Sequence, residues 1–188
     1  MRDKTYHAYL DTTCPYPRYK DGSIIFCDVC IRKILDEQKA KGDASGSDKR
    51  YSFRLLADNP VTSVHLFEAA IDLLSYATYL KREGKDYKSE NLLSLSGVYQ
   101  PKKEIKDSKI PIALTTFLNA NPHIKTIFLH LDNDKTGRLC TATLKELLQK
   151  DYQIVDDPPP VGKDFNDFLL SYLGIVRPIS SRERSDAR

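Results

Sequence analysis

The sequence contains no apolar run that approaches the roughly 18 residues that suggest a membrane span. Residues 1–13, MRDKTYHAYLDTT, also lack the basic and then apolar order of a secretory signal peptide. We therefore expect a cytoplasmic protein without a membrane partner. In that compartment its four cysteines are expected to be free thiols or metal ligands rather than disulfides.

A strong excess of charge is also absent, because the net charge is only +3. No overall basic field therefore indicates nucleic acid, although a local phosphate-binding face is compatible with this sum. Hydrophobic residues make up 40% of the 188 positions, and their runs concentrate between Val61 and Ile175. This length and distribution predict one domain of ordinary size with a small appendage.

Residues 1–45 form the predicted appendage, an irregular segment with little apolar periodicity and three of the four cysteines. Cys27 and Cys30 give the C-x-x-C half of a zinc knuckle, and Cys14 and the distant His7 are candidate further ligands. The second half is incomplete, because Cys14 has no C-x-x-C partner. Zinc binding and reduced, partly packed thiols are both open at this point.

Helical and strand-like patterns then follow one another along the chain. Apolar spacing predicts a short helix from Val29 to Lys41, and residues 42–50 are typical of a turn-rich connection. Strands are predicted at 51–55, 61–67, 92–95, 126–131 and 152–155, and helices at 69–82, 111–120, 136–150 and 162–173. This alternation predicts an α/β fold, with a mainly parallel sheet of about four strands flanked by helices. The polar residues 177–188 are predicted to be a disordered tail.

The stretch IKTIFLHLDNDKTGRL at 124–139 combines a buried strand with an acidic turn. Asp132 and Asp134 follow the strand, and open α/β sheets bind ligands beyond the carboxyl ends of their strands. Paired carboxylates are hard oxygen ligands that suit Mg²⁺. Turn formation and helix capping are the alternative roles of such residues.

Other polar residues follow the neighbouring predicted elements. Glu68 ends one strand, and Asp72 lies one helical turn further on, where an exposed first-turn acid is the alternative. Lys163 and Asp164 precede the last helix, where Asp164 is equally suited to capping. His130 alternates with buried strand positions and is expected to be packed or hydrogen-bonded rather than a metal ligand.

Five motifs occur in order: GSDKRYSF at 46–53, FEAAIDLLSY at 67–76, LLSLSGVY at 92–99, HLDNDKTGR at 130–138 and GKDFNDFL at 162–169. Together they resemble the toprim domain, the Rossmann-like catalytic fold of bacterial primases, topoisomerases and overcoming-lysogenisation-defect nucleases. The pattern is most similar to primase-type toprim-like proteins of plasmids and conjugative elements. The resemblance implies a toprim-like catalytic and metal-binding domain over residues 46–176.

The resemblance also implies the roles of individual residues. Glu68 would be the general acid or base, and Asp132 and Asp134 would complete the catalytic set and hold Mg²⁺ or Mn²⁺. The full implied metal set is Asp132, Asp134, Glu68 and Asp164, and the implied phosphate or nucleic-acid contacts are Lys163, Arg138 and Gly97. For Arg138, a solvated position at the helix start is the alternative.

Three functions are compatible with these residues. The first is a Mg²⁺-dependent nucleic-acid enzyme or accessory factor of a mobile element, primase-like or nuclease-like, acting on DNA with replication or conjugation proteins. The second is a catalytically inactive toprim module that binds DNA or recruits such a partner. The third is a phosphatase-like or receiver-type domain in which a strand-end aspartate is phosphorylated. The first function requires Glu68, Asp132 and Asp134 to converge on one rim of the sheet.

Overall fold

The computed structural model describes residues 30–32, 41–43, 48–97 and 108–175 of the chain. In these ranges it contains a two-stranded antiparallel sheet and a five-stranded mixed sheet. The strands are β1 (Cys30–Arg32), β2 (Lys41–Asp43), β3 (Arg54–Leu55), β4 (Ser63–Phe67), β5 (Leu92–Ser94), β6 (Thr126–His130) and β7 (Gln153–Asp156). The helices are α1 (Ala70–Arg82), α2 (Ile112–Ala120), α3 (Lys135–Leu148) and α4 (Phe165–Tyr172).

Strands β4 and β6 occupy the centre of the larger sheet, whose order is β3-β5-β4-β6-β7. Strands β5, β4, β6 and β7 run parallel, and β3 pairs antiparallel with β5 at the edge. The central pair carries nearly continuous apolar sequence, as expected for strands covered on both faces. The predicted α/β fold with a mainly parallel sheet is confirmed, and β3 adds an antiparallel edge to it.

Helices cover both faces of this sheet, because side chains alternate along each strand. Val64 and Leu66 of β4 belong to one buried cluster, together with residues of α2 and α3. Phe67 of the same strand belongs to the other, with Leu73 of α1 and Phe165 of α4. Burial of apolar area, at about 25 cal/mol per Å², therefore stabilises a helical layer on each face of the sheet.

The helix predicted from Val29 to Lys41 is wrong where the structure describes it. Cys30–Arg32 forms β1 and Lys41 begins β2, with Cys30 paired to Asp43 and Arg32 to Lys41. Residues 33–40 lie outside the described residues. The apolar residues are spaced as in a helix, but the backbone pairs as two strands. Local periodicity does not detect such pairing between separate segments.

Of the other boundaries that differ from the prediction, two have a clear local reason. The strand predicted from Tyr51 begins at Arg54, because Asp48 accepts a hydrogen bond from the Arg50 N–H and caps a 3-10 turn at Lys49–Tyr51. Pro111, predicted at the first position of α2, lies one residue earlier as its N-cap. Both differences leave the order of elements unchanged.

Several predictions concern residues outside the described ranges. Cys14, Cys27 and residues 177–188 are among them, and Cys30 is described only through the backbone of β1. The zinc knuckle, the tail and the domain limits at 46 and 176 therefore stay predictions. Within the described ranges, no helix combines the length and apolar character that crossing a membrane requires.

Candidate functional site

The carboxyl ends of β4 and β6 form the rim on which the predicted site residues lie. The two strands are parallel neighbours, with Phe67 opposite His130 in the register. Glu68 directly follows β4, and Asp132 comes two residues after β6, so the chain carries both acids to the same edge of the sheet. The charges of Glu68 and Asp132 both raise the pKa of Asp72, which places the three carboxyl groups in one electrostatic environment.

Asp132 and Asp134 share a single cationic partner. The Nζ of Lys163 lies 3.0 Å from Asp132 Oδ2 and 3.2 Å from Asp134 Oδ2. Asp132 is buried, and this burial raises the pKa of its carboxyl although Lys163 acts in the opposite direction. Burial alone would lower the pKa of Lys163, but its bonds to Asp132 and Asp134 raise it. The ammonium therefore stays charged between the two carboxylates.

Asp134 also begins helix α3. Its Oδ1 accepts a hydrogen bond of 2.8 Å from the Gly137 N–H, as an N-cap residue does. This bond is the largest of the causes that lower the pKa of Asp134. The capping role considered from the sequence is thus present, and it leaves Oδ2 as the oxygen that faces Lys163.

Helix α3 starts in direct contact with the end of β6. A Cβ on Gly137 would lie 2.2 Å from the Asp132 backbone oxygen, so only glycine fits there without a shift. Arg138 binds the same segment, because its Nε donates to the Asp132 carbonyl at 3.1 Å and its Nη2 to the Leu131 carbonyl at 3.0 Å. Its Nη1 donates to Asp156 on β7 at 2.9 Å. These contacts give Arg138 a positioning role, and its predicted contact with phosphate stays a prediction.

Asp72 on α1 is the acid that the structure adds most clearly to the rim. Its residue is 5% exposed and its Oδ1 has no hydrogen-bond partner. Burial, followed by the charges of Asp164, Asp132 and Glu68, raises its pKa to about 7, while a bond from the Asn166 backbone opposes the shift. The alternative of an exposed first-turn acid is therefore wrong.

Asp164 caps helix α4 with an Oδ1 that accepts 2.7 Å from the Asp167 N–H. The loop before it is fixed to the Asp-x-Asp turn by Asn133. The Asn133 N–H donates to the Lys163 carbonyl at 2.7 Å, and its Nδ2 donates to the Pro159 carbonyl at 2.9 Å. Asn133 was not singled out from the sequence, yet it holds the backbone of Lys163 beside Asp132.

The turn after β5 supports the backbone of Glu68. Gly97 has a φ of +109° and its N–H donates to the Glu68 carbonyl at 2.9 Å. Ser96 also has a positive φ, and its carbonyl accepts a bond of 3.1 Å from Lys49 Nζ. Gly97, predicted to contact phosphate, therefore uses its N–H inside the protein. Lys49 was missed from the sequence, although its motif GSDKRYSF was recognised.

Two buried histidines lie directly beneath the rim. His65 and His130 hydrogen-bond to each other and stack among Phe67, Tyr76 and Phe128. The expectation that His130 is a packed, hydrogen-bonded residue is confirmed. His65 was missed, and its only sequence signal was its position among apolar residues of the same strand.

The donor set at the rim fits a hard divalent cation. Among the described residues, no cluster of three or more histidine, cysteine or acidic side chains is arranged as a metal site. However, Asp132 and Asp134 both contact the ammonium of Lys163. Beside them, the buried Asp72 has a carboxyl oxygen without a hydrogen-bond partner. Carboxylate oxygens are the ligands that Mg²⁺ and Mn²⁺ prefer, so the chemistry of these residues suits the metal that the resemblance implies.

The structure is thus an α/β domain with a mainly parallel sheet and acidic residues at the carboxyl ends of its central strands. The sequence matches the model of the Toprim-like family over residues 65–169. This range is more than half of the chain and includes Glu68, Asp72, Asp132, Asp134 and Asp164. The chain therefore belongs to the Toprim-like family.

Two solved structures are also similar to this chain. One is a putative protein from Aquifex aeolicus, with 19% identity, 62% of this chain and 82% of that chain covered, and a TM-score of 0.33. The other is the primase fragment of the bacteriophage T7 primase-helicase protein, with 15% identity and a TM-score of 0.46. There, 92% of this chain and 60% of that fragment are covered. Among curated proteins, none matches the sequence.

Proposed function

We propose that this domain is a Mg²⁺- or Mn²⁺-dependent enzyme or accessory factor that acts on DNA. Its reaction class is phosphodiester or nucleotidyl transfer, of the primase or nuclease kind, and it serves a mobile element together with replication or conjugation proteins. The observation that carries this proposal is the convergence of Asp132 Oδ2 and Asp134 Oδ2 on one cationic group at the rim.

The acids of the rim divide into direct ligands and neighbours. Asp132, Asp134 and Glu68 would hold the divalent cation, with Asp164 and Asp72 adding negative charge beside them. When bound, such a cation neutralises phosphate charge and stabilises the charge that develops during in-line displacement.

Proton transfer, phosphate binding and positioning of the acids would depend on side chains of the protein. Glu68 would accept or donate the proton of an attacking or leaving oxygen. The bond from the Gly97 N–H to its carbonyl, which fixes its backbone at the rim, supports this role. Lys163 supplies a positive charge beside Asp132 and Asp134, which suits a contact with a phosphate bound there. Arg138 and Gly137 keep the Asp-x-Asp turn against β6 and so hold the first aspartate in place.

Calorimetric titration with Mg²⁺ and Mn²⁺ tests the proposal on the wild type and on Asp132→Asn. We expect saturable binding by the wild type and at least tenfold weaker binding by the variant, with loss of any nicking or primer synthesis. Asp151→Asn is the matched control, because it removes the same charge at an exposed position next to the start of β7. Activity that survives in Asp132→Asn would overturn the metal-dependent mechanism.

A binding module without chemistry is the second candidate. It is favoured by the ion pairs of Lys163, which neutralise the aspartate pair without any metal, and by Ala69, which stands after Glu68 where toprim sequences usually have glycine. Salt-dependent binding of single-stranded DNA without Mg²⁺-dependent turnover would support this function. Uptake of label from acetyl phosphate would instead indicate a receiver-type domain.

A further inference from the structure

The ammonium of Lys163 occupies the position that a cation ligated by the Asp-x-Asp pair would need. Asp134 has only one oxygen outside the helix cap, because its Oδ1 accepts the bond from Gly137. The other oxygen, Oδ2, is the one that contacts Lys163, as is Oδ2 of Asp132. A cation that binds Asp134 through the oxygen outside the cap of α3 therefore binds the oxygen that Lys163 also contacts.

The backbone and the side chain of Lys163 are held very differently. Its carbonyl accepts the bond from Asn133, and its N–H donates to Asp167 Oδ2 at 3.3 Å, so the backbone is fixed beside the acids. The side chain is 52% exposed, and the contacts of its Nζ within the described residues are the two ion pairs. Rotation of the side chain into solvent thus breaks two ion pairs and requires no movement of the fold.

A second observation indicates that the rim accommodates more positive charge than Lys163 provides. Asp72 is buried, its Oδ1 has no hydrogen-bond partner, and it experiences the charges of Asp164, Asp132 and Glu68. An unpaired buried carboxyl oxygen destabilises the folded protein, because it has lost the hydrogen bonds that it makes in water. A divalent cation would neutralise this group of acids more completely than one ammonium at its edge.

We infer that Lys163 is a built-in competitor of the divalent cation: its ammonium neutralises Asp132 and Asp134 in the metal-free protein and leaves them when the cation binds. This inference rests on the proposed function, since it concerns the same cation. The fixed backbone keeps the displaced ammonium near the rim, where it is available to an anionic phosphate. Lys163 thus compensates the charge of Asp132 and Asp134 rather than taking part in the reaction itself. Its removal is expected to strengthen binding of the divalent cation.

Calorimetry with Mg²⁺ alone tests the competition on the wild type, Lys163→Gln and Lys163→Arg. We expect Lys163→Gln to bind Mg²⁺ roughly three- to tenfold more tightly than the wild type, the range that corresponds to two weak ion pairs. Lys163→Arg keeps the charge and is expected to retain wild-type affinity within about twofold. Lys135→Gln is the control for net charge, because Lys135 is an exposed lysine next to Asp134, and only the excess over its effect counts as competition.

A second measurement follows the side chain directly. The NMR signal of the Lys163 ε-methylene group, assigned by its loss in Lys163→Arg, should shift during the Mg²⁺ titration with the same midpoint as the calorimetry. Mg²⁺ binding by Lys163→Gln that is equal to or weaker than that of Lys135→Gln overturns the competition. An NMR signal of Lys163 that does not shift at metal saturation also overturns it. Both results leave the proposed metal function intact. Absence of Mg²⁺ binding in all four proteins, together with absence of Mn²⁺ binding by the wild type, overturns both the competition and the proposed metal function.

Discussion

His65 Nδ1 and His130 Nε2 lie 2.8 Å apart across the two central strands. The direction of this hydrogen bond follows from the other nitrogen of His130, whose Nδ1 lies 2.8 Å from the Asp157 carbonyl oxygen and must donate to it. His130 Nε2 is therefore the acceptor and His65 Nδ1 the donor. The remaining nitrogen of His65 faces Glu90 Oε2 at 3.5 Å, where burial raises the pKa of Glu90.

The first prediction concerns acid sensitivity of the histidine pair. Burial lowers the pKa of His130 to about 4, and burial followed by the charge of His130 lowers that of His65 to about 3. The unfolded chain then binds more protons than the native state below about pH 6.5, so these groups make stability fall as pH falls. Between pH 6.5 and 4.5, the free energy of unfolding should fall by about 1–2 kcal/mol less in His65→Phe than in the wild type. Urea denaturation at a series of pH values measures this slope.

The exposed His123 provides the control for this experiment. His123→Gln should keep the wild-type pH dependence, because its side chain lies at the surface. The same slope in wild type and His65→Phe would show that the pair does not resist protonation in the native state.

The second prediction is that Asp72→Asn stabilises the metal-free protein in alkaline conditions. Because the pKa of Asp72 is raised to about 7, the native state favours the protonated form and stability falls as pH rises through about 4 to 7. An amide removes this cost, so the variant should gain about 1–3 kcal/mol at pH 8 and almost nothing at about pH 3.5, where most of the carboxyl is protonated in both states. Thermal or urea unfolding in a chelator measures the gain, and Asp151→Asn serves as the exposed control. Destabilisation at both pH values would contradict the prediction.

The third prediction concerns the contact between α3 and β6. Gly137→Ala should destabilise the domain by about 2–4 kcal/mol, because the new methyl group would overlap the Asp132 backbone. Helix propensity alone would have favoured alanine by about 1 kcal/mol. The reverse change at an exposed position of the same helix, Ala142→Gly, measures that propensity term. An increase in the free energy of unfolding for Gly137→Ala would show that α3 is free to shift.

The fourth prediction separates the positioning role of Arg138 from a phosphate contact. Arg138→Lys keeps the charge but loses the planar group that bonds two carbonyls and Asp156. We expect a loss of about 1–2 kcal/mol in stability and weaker Mg²⁺ binding. The salt dependence of DNA binding should not change, whereas Arg138→Gln would lower its slope by about one if the residue neutralises a phosphate.

The sequence predicted the strands and the positions of the acids well, because buried parallel strands are continuous apolar runs and Asp132 directly follows one of them. It did not determine the burial of Asp72, which depends on how α1 and α4 pack around Asn166. It also left open which contacts Lys163 makes, since these depend on the distant turn at Asn133. His65 was missed because a single histidine in an apolar strand has no periodic pattern. Its partner becomes visible only in the register that places Phe67 opposite His130.

The two capping aspartates have a consequence for how a polyanion would experience this edge. Asp134 and Asp164 start α3 and α4, so both helices direct their amino ends to the acidic rim. Each amino end carries about half a unit of positive charge, and together they supply roughly one unit from the peptide backbone itself. An approaching phosphodiester strand would thus encounter much weaker repulsion than a tally of the carboxylates suggests, and no change of lysine or arginine would remove that contribution.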